Sequence, residues 1–117
     1  MVNKPLIDVA ALESALQTFA DDRDWQKYHS PKNLVMALTG EVGELVEIFQ
    51  WQTEEQSLAT ATNPETAQAV RDELADVLLY LVRLSSVLGV DLNDAVVQKL
   101  RKNAEKYPQG DSTPKRN

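Results

Sequence analysis

The chain contains no cysteine. That excludes a disulfide framework, a zinc–thiolate site and a redox thiol pair, and it fits a reducing compartment. There is a single histidine, His29. It belongs to no Glu-x-x-His pair, so a helical di-iron oxidase is excluded. Glycine (4 residues) and proline (5 residues) are scarce, and β-branched runs are short. No Gly-rich phosphate loop is present, and no Ser nucleophile stands beside a plausible base. Basic residues are outnumbered, 12 against 18, for a net charge of −6. An acidic surface repels a nucleic-acid backbone, because affinity there comes from Lys and Arg neutralising phosphates. The longest apolar run, Val77 to Val82, is far too short to span a bilayer, and Met1-Val2-Asn3-Lys4-Pro5 lacks the apolar core of a signal peptide. The expectation is a soluble cytoplasmic protein with neither a membrane nor a nucleic-acid polymer as partner.

What remains is a helix-forming sequence. Its 117 residues suit one domain with one core, and 43% hydrophobic residues is ordinary for a folded protein. Leu, Ala, Glu, Gln and Val dominate, so the fold class is all-α. A single domain is expected over 1–117, with a folded core at about 8–108, a loose lead-in at 1–7 and a flexible tail at 109–117.

Four helices are legible. Asp8 is an N-cap for a first helix with Val9, Leu12, Leu16 and Phe19 at helical spacing, ending near Asp22. Ser30-Pro31 is a cap with proline at the first helical position, starting a second helix that runs to about Gln52. Its stripe is Leu34, Leu38, Val42, Leu45 and Phe49. Residues 53–62 read as a loop with room for a short helical turn. Asn63-Pro64 repeats the start signal for a third helix, stopped by Gly89 after Leu88. Val70, Leu74, Val77, Leu81, Leu84 and Leu88 form its stripe. Asp91 opens a fourth helix that ends near Tyr107-Pro108.

The chemistry concentrates in two segments, Gly40-Glu41-Val42-Gly43-Glu44 and Arg71-Asp72-Glu73-Leu74-Ala75-Asp76. Each holds two carboxylates three residues apart, so each pair lies on one helical face. Glu41 and Glu44 flank the apolar stripe of the second helix. Glu73, Asp76 and Tyr80 share a flank of the third. Glu47 and Asp72 point further out. Interior-facing carboxylates repel one another without a counter-charge, and a hard cation such as Mg²⁺ relieves that repulsion through oxygen ligands. Acidic pairs are also common on solvated faces; here both pairs border an apolar stripe, which favours the metal. Gly40 and Gly43 suit either close packing against a neighbouring helix or room for a ligand.

Other polar residues have two readings each. Lys99, Asn103 and Lys106 form a row near a helix C-terminus, where the cations complement the macrodipole or hold phosphate oxygens. Trp25, Trp51, Tyr28 and Tyr80 suit core packing. Trp25 and Trp51 sit at segment ends, which leaves them free to stack on a base. His29 lies in a polar connector, as a hydrogen-bonding or surface residue.

As a set, these residues resemble a known family. Glu41-x-x-Glu44, a spacer and Glu73-x-x-Asp76 resemble the signature of MazG-like all-α NTP pyrophosphohydrolases. Arg23-Asp24-Trp25, Pro31-x-Asn33-Leu34, Phe49-Gln50-Trp51, Val90-Asp91-Leu92, Lys99-x-x-x-Asn103 and Lys106-Tyr107-Pro108 are similar to the dCTP pyrophosphatase branch. The match covers about residues 9–108. The resemblance implies a four-helix bundle, as an obligate homodimer or a dimer of dimers (a homotetramer). It implies Mg²⁺-dependent cleavage of a nucleoside triphosphate between the α and β phosphates, with Mn²⁺ as a substitute metal. By position, Glu41, Glu44, Glu73 and Asp76 would be metal ligands and catalytic residues, with Lys99 stabilising the leaving pyrophosphate. Asn103 and Lys106 would contact phosphates, Trp25, His29 and Trp51 would line the base site, and Tyr80 would contact the nucleotide.

The expected function is removal of dCTP or a modified pyrimidine dNTP from the nucleotide pool. A dUTPase-like or phosphoribosyl-ATP-type hydrolase shares the metal logic. A helical dimerisation module with a merely solvated acidic face is the alternative outside enzymes.

Overall fold

The computed structural model describes residues 8–110. The lead-in expected at 1–7, and the tail from 111 onward, lie outside the described residues. Five α-helices follow in order: α1 (Val9–Asp22), α2 (Pro31–Phe49), α3 (Glu54–Ser57), α4 (Ala67–Leu88) and α5 (Leu92–Lys106). A 3₁₀ turn, Gln26–Tyr28, links α1 to α2. No strand occurs among the described residues.

Three of the four expected start signals act as read. Asp8 accepts from the Ala11 N–H at 3.0 Å, Ser30 from Asn33 N–H at 3.2 Å and Asp91 from Asp94 N–H at 3.0 Å. Each satisfies a backbone donor that the helix cannot satisfy itself. Gly89 ends α4 with φ at 71°, a left-handed conformation that a side chain would strain.

Two boundaries differ from expectation. α2 stops at Phe49 rather than Gln52, because Thr53 and Gln56 form a capping box that starts α3. Gln52 then turns back to accept from the Thr60 hydroxyl at 2.8 Å. α4 begins at Ala67 rather than just after Asn63-Pro64. The Thr66 hydroxyl donates to the Thr60 carbonyl at 2.6 Å, so residues 63–66 are held in a turn and Thr66 is not available as a side-chain cap.

The long helices α2 and α4 pack along each other and α1 lies against α4; α5 makes only marginal contact with the rest. The buried apolar residues are Val9, Ala20, Leu34, Val70 and Val82. The apolar stripes read from the sequence are only half covered by this one chain. Leu34 and Val70 are buried, whereas Val42, Leu74, Leu81 and Leu88 remain exposed. The reason is geometric: α2 and α4 meet along their carboxylate-bearing flanks, which leaves the outer part of each stripe uncovered. Gly40 and Gly43 also face open space, with nothing within 4 Å of an added Cβ. Close packing within this chain is therefore not their role.

Candidate active site

The α2–α4 packing brings Glu41, Glu73 and Asp76 together. One carboxylate oxygen from each can be chosen so that all three lie within 4.8 Å of one another. All three residues are half-buried. The Oε2 atoms of Glu41 and Glu73 are buried and, with both groups ionised, have no hydrogen-bond donor among the described residues. Two facing acceptors without a donor are unstable, and two remedies exist, a shared proton or a cation.

The electrostatics follow the same logic. The Glu73 carboxyl is pushed up to about 7 by its hydrogen bond with Glu41, by burial and by the neighbouring Glu44. For Glu41, the hydrogen bond with Glu73 acts downward; burial and the charges of Glu44 and Asp76 outweigh it, and the net shift is upward. Of the two, Glu73 is the carboxyl held protonated to the higher pH. Three oxygen donors of this hardness, two of them orphaned, can hold a divalent metal ion such as Mg²⁺.

Glu44 is placed differently. It is exposed and stands beside the cluster, where its charge raises both Glu41 and Glu73. It lies outside the tight triad of Glu41, Glu73 and Asp76. Glu47 and Asp72 point outward as expected, and Asp72 accepts from Gln68 Nε2 at 2.8 Å.

Beside Asp76 opens a cavity of about 430 Å³ walled by α1, the 25–29 connector and α4. Trp25, His29 and Tyr80 line it together with Asp76. Trp25 stands edge-on to Phe19, with ring centroids 5.5 Å apart, and to His29 at 6.3 Å. These contacts fix the aromatic wall. The cavity is mainly apolar with a few polar groups, the usual make-up of a small-molecule site.

The chain does not bring every expected residue to this place. Trp51 is 88% exposed at the end of α2 and does not line the cavity. Lys99, Asn103 and Lys106 lie on α5. No hydrogen bond or ion pair among the described residues joins them to the acidic cluster. Lys106 Nζ instead sits 5.3 Å from the Tyr107 ring, and Asn103 Oδ1 is buried without a partner.

One charged cavity residue escaped the sequence reading. Arg83 is buried and lines the cavity wall. It donates from Nε to His29 Nδ1 at 3.0 Å and from Nη1 to Gln17 Oε1 at 2.9 Å. The signal was available: Glu73, Asp76, Tyr80 and Arg83 recur at three- and four-residue spacing along one helical flank.

Fold and site together define an all-α protein with a carboxylate cluster beside an apolar cavity. A MazG-like family model matches residues 37–115, and the chain belongs to the MazG-like family. The curated relatives it matches are dCTP pyrophosphatases. It is 47% identical over 90 residues to human dCTP pyrophosphatase 1, covering 77% of this chain and 53% of that one. The figures for the rat protein are the same. The chain thus spans about half the length of the curated relatives it matches. The crystal structure of a pyrophosphatase from Archaeoglobus fulgidus superposes with a TM-score of 0.79 at 36% identity, covering 93% of this chain and 100% of that one. No helix among the described residues is long and apolar enough to cross a membrane.

Proposed function

We propose that this chain is an Mg²⁺-dependent nucleoside triphosphate pyrophosphohydrolase that cleaves a dNTP between its α and β phosphates. The favoured substrate is dCTP or a modified pyrimidine dNTP, and the role is cleansing of the nucleotide pool. The observation that carries the reading is the cluster of Glu41, Glu73 and Asp76 beside the cavity lined by Trp25, His29 and Tyr80. A metal-binding edge and a base-sized apolar hollow share Asp76 as their boundary.

Glu41, Glu73 and Asp76 would hold the metal, with Glu44 as a fourth carboxylate at the rim. When bound, Mg²⁺ supplies Lewis acidity, offsetting phosphate charge and acidifying water. Of the two carboxylates that could take a proton from the attacking water, Glu41 and Glu44, we assign that role to Glu44, because it is exposed and outside the triad. The water oxygen bonds to the α phosphorus, and the bond from that phosphorus to the bridging oxygen breaks. The products are a nucleoside monophosphate and pyrophosphate. Trp25 and Tyr80 would hold the base and sugar out of water.

The active form is proposed to be a homodimer or a dimer of dimers. Support comes from the uncovered apolar residues of α4 and α5, among them Leu74, Leu81, Val96, Val97 and Leu100. A second copy laid on them would take these apolar side chains out of water. It would also give Lys99, Asn103, Lys106 and Trp51 a site to serve: phosphate contacts for the first three and a base-site wall for Trp51.

The test is hydrolysis of dCTP with Mg²⁺ in ¹⁸O-labelled water, followed by mass analysis of both products. Attack at the α phosphorus leaves the label in dCMP. Label in pyrophosphate, or release of orthophosphate, contradicts the reading.

A further inference from the structure

The cavity beside Asp76 has a buried cation in its wall. Arg83 is 5% exposed, and a buried Arg is ordinarily paired with a carboxylate. Among the described residues its partners are instead neutral, His29 and Gln17. Asp76 lines the same cavity but makes no hydrogen bond or ion pair with Arg83, and its carboxylate belongs to the acidic cluster.

The hydrogen bonds fix the orientation of every group in this chain of contacts. Gln17 donates from Nε2 to Asp21 at 2.8 Å, so its amide oxygen is the atom turned to Arg83. Arg83 is always protonated and only donates. Its Nε–H therefore requires a lone pair on His29 Nδ1. The neutral imidazole must then carry its proton on Nε2. Burial and the Arg83 charge both lower the His29 pKa, which keeps the ring neutral. Neither His29 Nε2 nor Arg83 Nη2 has an acceptor among the described residues. Both residues line the cavity, and each keeps one N–H donor unmatched among the described residues.

We propose that Arg83 is a specificity-determining residue of this cavity: with His29 it forms a wall of N–H donors that selects a base edge carrying adjacent acceptors. The inference rests on the nucleotide reading of the cavity given above. A cytosine-type edge offers a ring nitrogen and a carbonyl oxygen side by side, both acceptors. A uracil- or thymine-type edge carries an N–H at that ring nitrogen and sets donor against donor. A site built to hydrogen-bond one edge rejects the other strongly, because its own buried groups are then left unpaired. Gln17 is a positioning residue, acting through Arg83.

The experiment compares kcat/KM for dCTP and dUTP, with Mg²⁺, in the full wild-type chain, Arg83→Met and Arg83→Lys. The expected result is a fall in the dCTP-to-dUTP ratio of about tenfold or more in Arg83→Met, carried by KM for dCTP with kcat little changed, and partial rescue in Arg83→Lys. An unchanged ratio in a folded variant overturns the proposal. A second measurement needs no variant. His29 is the sole histidine, so its ¹⁵N signals are assigned at once. Nε2 is expected to carry the proton at neutral pH, and its N–H signal to move with dCMP and not with dUMP. A proton on Nδ1, or equal responses to both nucleotides, overturns the proposal. If the wild-type chain cleaves no triphosphate, the hydrolase reading has failed, and the dCMP and dUMP titrations still decide this one.

Discussion

Glu41 on α2 and Glu73 on α4 face each other closely enough that one proton serves both. The hydrogen bond with Glu41, burial and the neighbouring Glu44 push the Glu73 carboxyl up to about 7. A divalent cation at this place must displace that proton. Below about pH 7, Mg²⁺ binding should therefore release close to one proton per site, and affinity should fall as pH falls. Calorimetry in buffers of different ionisation enthalpy measures the release. Release that does not change between pH 6 and pH 8.5 contradicts the assignment.

The same shift acts on stability without metal. The folded pKa of Glu73 lies above its unfolded value, so the folded state binds the extra proton between about 4.5 and about 7. The penalty of the ionised site is absent below that window and complete above it. In EDTA, the site contributes a gain in stability as pH falls through about 7. Glu73→Gln should remove that contribution and raise the melting temperature relative to wild type at pH 8. Melting curves at pH 5.5 and pH 8 with and without EDTA check the sign.

Removing one carboxylate should separate binding from proton transfer. Glu41→Ala or Asp76→Ala should abolish turnover while leaving the helices folded, because each relieves repulsion in the metal-free protein. Glu44→Gln should lower kcat by about a hundredfold or more, with Mg²⁺ affinity little changed. Equal loss of metal binding in all three variants would place Glu44 among the ligands instead.

The core and the uncovered faces should respond differently to truncation. Leu34 is 2% exposed, so Leu34→Ala should destabilise by about 2–5 kcal/mol. Leu58 is 88% exposed, and Leu58→Ala should stay within about 0.5 kcal/mol. Leu100→Asp, on the open face of α5, should split the proposed assembly; light scattering on the eluting protein reads the mass. A wild-type monomer contradicts the dimer reading.

Much of this arrangement is local and therefore legible in the sequence. The caps at Asp8, Ser30 and Asp91 depend on residues three positions away, and they act as read. The carboxylate flanks depend on helical spacing, and α2 and α4 do bring Glu41, Glu73 and Asp76 together. What could not be read depends on tertiary choices. The Thr66–Thr60 contact that delays α4 joins two loop residues whose meeting no periodicity encodes. Arg83 was hidden because an arginine within an apolar stretch has no meaning until His29 and Gln17 are placed beside it. The stripes of α2 and α4 have the right period, but periodicity does not say whether the same chain or a second copy covers them.

The most direct measurement is pyrophosphate release from a panel of dNTPs, NTPs and modified pyrimidine dNTPs, with Mg²⁺ and with EDTA. The expected result is release that requires Mg²⁺ and is fastest with dCTP or a modified cytosine dNTP. Folded protein that releases no pyrophosphate from any member of the panel contradicts the account and leaves a helical module with a solvated acidic face.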